Sequence, residues 1–130
     1  VYVHTHTMMP SLWILAAQAG FYDRVLEYTR LAISASPADG RFWAYHASSV
    51  YLHGVWTQGS CPKDVEGGCY DAVVAAFVKS LELGVGSVEA GGVGQEMAGS
   101  LDVYGENDMS VGIKSALLSA ECKYNLKRFN

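Results

Sequence analysis

Apolar residues recur at three- and four-residue steps along most of the chain, the period of an amphipathic helix. From about Tyr22 to Ser34 the step falls on Val25, Leu26, Thr29, Ala32 and Ile33. From about Arg41 to His53 it falls on Trp43, Ala47, Val50 and Tyr51, and Gly54 reads as the stop. From about Tyr70 to Leu83 the pattern is strongly apolar, with Gly84 as its cap. A last helix is predicted from about Ile113 to Leu126. Ahead of these, Leu12, Ile14, Leu15, Ala16 and Ala19 predict a first helix. Thr7 would cap it, Pro10 would sit in its first turn and Gly20 would end it. Residues 1–7 instead alternate apolar and polar, which predicts a short strand or an extended arm.

The breaks are read from glycine and proline. Pro37 separates the second helix from the third, because the residue before a proline avoids helical backbone. Residues 55–68, with Gly59, Pro62, Gly67 and Gly68, read as a polar loop. Residues 84–111 carry Gly84, Gly86, Gly91, Gly92, Gly94, Gly99 and Gly105. They read as an irregular Gly-rich insertion with at most a short turn near residues 95–101. The predicted architecture is therefore all-α and single-domain over residues 1–130. It comprises an arm (1–7), a helix pair (8–37), a second pair interrupted by a loop (40–83), the insertion (84–111) and a further helix (112–130).

Laid over one another at a thirty-four-residue interval, the two helix pairs share landmarks. The first has Gly20, Tyr22, Asp23, Leu26, Glu27, Tyr28, Ala32 and Pro37. The second has Trp43, Ala47, Tyr51, Gly54, Tyr70, Asp71, Phe77, Ser80 and Leu81. Residues 115–130 read as the opening helix of a third. In these landmarks the chain resembles the tetratricopeptide repeat, although Met9 and Trp13 stand where that pattern has tryptophan and glycine. The resemblance implies antiparallel hairpins stacked as a short α-solenoid. It also implies a concave groove lined by Arg41, Tyr45, Ser48 and Tyr51 on one helix and by Leu117, Glu121 and Tyr124 on the last. The Lys and Asn clamp that similar domains use for a C-terminal carboxylate is absent, since Pro10 and Ile14 occupy those places. One helix pair cannot bury its apolar side alone, so neighbours are required. The chain starts at Val1 without a methionine and its helical pattern is still running at Asn130, so we read it as a piece of something longer.

Composition narrows the chemistry. Half the residues are apolar and 17% are charged, which is a globular balance. The net charge is −4, and the nine basic residues are scattered except for Lys123, Lys127 and Arg128. That cluster suits a helix C-terminus and forms no basic stripe for nucleic acid. The longest apolar stretch, Met8 to Gly20, is too short to span a bilayer.

Cys61 and Cys69 flank a loop-like string and read either as a disulfide or as two loop thiols. Cys122 reads as a small buried core residue. His4 and His6 would point the same way on a strand but have no further ligand nearby. His46 and His53 share a helical face, yet their spacing to the two loop cysteines is not that of a zinc finger. The glycine string 84–94 lacks the Gly-Lys-Ser/Thr ending of a phosphate loop. Asp102, Glu106 and Asp108 miss the calcium-loop spacing. No nucleophile elbow is present. The expectation is a non-catalytic scaffold without metal or cofactor, assembling with other protein subunits or copies of itself. The alternative is a peptide adaptor using the groove, with a metal-dependent enzyme a more distant third.

Overall fold

The structure, a computed structural model, describes residues 12–101 and 106–129, with side chains over 20–97 and 111–129. Five helices follow in order: α1 (Leu12–Ala35), α2 (Gly40–Gln58), α3 (Cys69–Glu82), α4 (Ser87–Leu101) and α5 (Glu106–Phe129). No strand occurs among the described residues. The arm, with His4 and His6, lies outside them.

Helices α2 to α5 enclose one core. α2 lies beside α3 and α4, and α5 completes the ring by lying beside α3 and α4. Phe77, Leu52, Val73 and Ile113 fill the centre, and Ala44, Ala47, Ala90, Ala116 and Ala120 let the backbones approach. α3 and α5 run parallel. Tyr70 near the start of α3 meets Ser115 and Ser119 (3.1 and 3.3 Å between oxygens), and Glu82 at its end meets Lys127. α1 packs antiparallel on α2, with Tyr22 stacked on Trp56 at 5.2 Å and Thr29 meeting His46. Among the described residues its backbone contacts are with α2, and Met97 of α4 approaches it across a pocket.

Local chemistry sets the ends. Asp39 caps α2 by accepting from the Arg41 N–H at 3.1 Å. Gly59, at φ 86°, ends it with its N–H on the Val55 carbonyl. α3 stops at a Schellman turn: Gly84 has φ 96°, its N–H meets the Leu81 carbonyl, and the Val85 N–H meets that of Ser80. Ser80 in turn donates to the Gly40 carbonyl at 2.8 Å, tying the ends of α2 and α3 together.

Four expectations are corrected. Gly20 does not end a helix: α1 runs through it as one helix, Leu12–Ala35, where the helix pair of 8–37 was expected. A lone helical glycine costs only about 1 kcal/mol, and packing of Tyr22 and Leu26 offsets that. Gly54 does not close α2, which continues to Gln58. The Gly-rich insertion is not an irregular loop, because Ser87–Leu101 is helical and α5 already begins at Glu106. Its glycines serve close packing. A methyl at Gly94 would lie 2.5 Å from the Ile113 Cγ2, and one at Gly91 would lie 3.3 Å from Leu117. Finally, Cys122 is exposed, not buried.

Candidate interaction surface

α5 presents its two sides very differently. Ile113, Ala116, Leu117 and Ala120 recur at helical spacing and are buried in the core. The remaining side faces outward and mixes exposed Lys114, Lys123, Asn125, Lys127 and Arg128 with large apolar side chains. Val111 is 64% exposed, Leu118 62%, Leu126 64% and Phe129 77%, with the Cys122 thiol among them. Val111, Lys114, Ser115, Leu118, Ser119 and Cys122 line a shallow trough of about 430 Å³. Of these, Ser115, Ser119 and Cys122 have small side chains, and Ser115 and Ser119 meet the Tyr70 hydroxyl. Large apolar side chains grouped on one exposed helix side mark an interaction site more often than singly scattered ones do.

The seven residues expected to line a groove do not share one open surface. Ser48 is completely buried, and its Oγ has no hydrogen-bond partner. It faces Gly94 of α4. Leu117 is buried against Gly91, and Tyr51 is half-buried against Gly112. Helices α4 and α5 therefore occupy the face of α2 that the groove needed. Arg41 is exposed beside Asp39 (3.6 Å). Glu121 and Tyr124 border the α3–α4 turn together with Arg128, whose guanidinium lies 5.7 Å from the Tyr124 ring centre.

Tyr45 alone among the seven lines a separate apolar pocket of about 260 Å³. Its other walls are Val25, Tyr28, Thr29 and Ala32 of α1, Phe42 of α2 and Met97 of α4. Aromatic and thioether walls suit an apolar side chain.

The histidines and loop cysteines do not converge. Cys61 and Cys69 form a disulfide with their Cα atoms 5.3 Å apart. It closes the loop 62–68 against α2. His53 Nε2 pairs with Asp23 of α1 at 2.6 Å. His46 Nδ1 meets Thr29 Oγ1 at 3.2 Å. Burial first, and then the nearby Arg30 charge, lowers the His46 pKa from its ordinary 6.5. Both histidines thus tie α1 to α2. Among the described residues no group of three His, Cys, Asp or Glu side chains is placed to hold a metal ion. Nor is any described helix long and apolar enough to cross a membrane.

The chain matches no protein-family model, no curated protein and no solved structure. The tetratricopeptide likeness accordingly stands on its quoted residues alone.

The outward strip of α5 escaped sequence reading for a definite reason. Leu117, Glu121 and Tyr124, the groove residues of the tetratricopeptide likeness, lie on another side of the helix. The signal on the other side was present: Val111, Leu118, Cys122 and Phe129 recur at steps of seven, four and seven, which share one helix side.

Proposed function

We propose that this chain is a non-catalytic helical scaffold, an assembly subunit that joins other protein subunits through the outward face of α5. The observation that carries the reading is the exposed apolar strip from Val111 to Phe129, opposite a side of the same helix already committed to the core. Burying one such Leu or Phe side chain against a partner stabilises by roughly 1.5–3 kcal/mol. The tetratricopeptide likeness belongs to the same proposal: contacts of α2 with α4 and of α3 with α5 support it, with α5 taken as the partner of α4 and not as the opening helix expected of a third repeat.

The test combines sedimentation velocity with binding of a hydrophobic dye, anilinonaphthalene sulfonate. A chain with an open or self-covered apolar strip either associates or binds the dye at α5. A monomer at every concentration that leaves the dye dark would contradict the reading.

A peptide adaptor is the second reading, and the Tyr45 pocket favours it. Peptides selected on the immobilised chain from a displayed library should lose binding in Tyr45→Ala while helix content is unchanged. Absence of any enriched peptide would reject it.

A further inference from the structure

Resting on the assembly reading, we propose that the occupant of the α5 face is a second copy of this chain. The two α5 helices would pack antiparallel about a two-fold axis. Three observations converge on this.

The first is spacing. Val111, Leu118, Cys122 and Phe129 fall on the four-three step whose mean, 3.5 residues, keeps a seam facing another helix, with the small polar Ser115 and Asn125 at the positions between. A flat partner needs no such seam.

The second is shape. The strip carries both a knob and a hole: Leu118 projects, 62% exposed, while Ser115, Ser119 and Cys122 leave a trough beside it. A surface holding both halves of a fit is self-complementary, as a two-fold interface requires.

The third is charge. Lys114, Glu121 and Arg128 sit one heptad apart along a single flank of the seam. Antiparallel pairing sets that flank against the same flank of the second copy. With Val111 opposite Cys122 of the second copy, and Ser115 opposite its Leu118, Lys114 meets Glu121 of the second copy, and the axis repeats the pair. A slide of one heptad would set Glu121 against itself and Lys114 against Arg128, which is repulsive. A slide of two would match Glu121 with Arg128, but that guanidinium already lies over its own Tyr124 and Phe129 rings, at 5.7 and 5.1 Å. Parallel pairing sets these charges against Ser119 and Leu126 and gains nothing. Neither Lys114 nor Glu121 forms an ion pair within the chain among the described residues.

Charge reversal tests the proposal on the full chain by sedimentation equilibrium. Lys114→Glu and Glu121→Lys should each weaken the dimer about tenfold or more, because two attractions become two repulsions. The double variant should restore it. Val111→Cys should form a dimer disulfide with the native Cys122 when diamide serves as the oxidant. The native chain should not, since in this register the two Cys122 residues lie about 16 Å apart along the seam. A dimer indifferent to single reversal, one not restored by the double, or a Val111→Cys chain that stays uncrosslinked overturns the proposal. A monomer that binds the dye at α5 overturns only the second copy and leaves the assembly reading standing. A monomer that binds no dye overturns both.

Discussion

Gly54 backs directly onto the sulfur of Cys69: a methyl group at position 54 would lie 2.5 Å from that Sγ. The glycine in the middle of α2 is thus explained by the disulfide it accommodates, not by a helix end. Gly54→Ala should destabilise the fold by about 1–3 kcal/mol, the usual cost of forcing a methyl into filled space. Urea denaturation of the oxidised chain measures it, and a free-thiol assay reports whether the disulfide still forms.

Removing the disulfide acts mainly on the unfolded chain. Cys61→Ser with Cys69→Ser releases a short loop and should cost roughly 2–3 kcal/mol. The same loss should follow reduction of the native chain, read as a lower urea midpoint. α2 and α3 should keep their helix content, because Ser80 and Gly40 still join their far ends.

Much of the fold was legible in the sequence. The apolar periods located α2, α3 and α5, and Gly84 was readable as a cap because its left-handed backbone is a glycine role. Glycine also misled. Gly20, Gly54, Gly91 and Gly94 lie inside helices, where the missing side chain either permits a contact or is simply tolerated. A single sequence does not distinguish a glycine that bends the chain from one that lets two helices touch. The same ambiguity hides α4, and without α4 the face of α2 bearing Ser48 has nothing to cover it. On α5 the helical period was legible, but which side faced the core depended on the hidden helix.

That distinction among glycines is measurable within α4. Gly94→Ala should cost about 1–3 kcal/mol, because its methyl would lie 2.5 Å from Ile113. Gly92→Ala, exposed and with nothing within 4 Å, should stabilise by about 0.5–1 kcal/mol through helix propensity. Thermal denaturation of the two variants should move the midpoint in opposite directions.

The contact of α1 with α2 should weaken in acid. The folded chain holds the His46 pKa below 6.5, so as pH falls through that value protons bind the unfolded chain first. The His46 contribution is complete above about pH 6.5 and is lost progressively below it. His46→Gln should reduce the drop in stability between pH 7.5 and pH 5. An unchanged drop in that variant would place the acid sensitivity elsewhere.

Leu117 and Leu118 are adjacent in sequence, 7% and 62% exposed, and the account assigns them opposite work. Leu117→Asp and Leu118→Asp, compared by thermal denaturation and sedimentation, test it most directly. Leu117→Asp should cost more than about 3 kcal/mol or leave the chain unfolded, since it buries an unpaired charge. Leu118→Asp should keep the native melting temperature and lose association or dye binding. A Leu118→Asp chain that unfolds like its neighbour, or that associates and binds dye as the native chain does, would contradict the account.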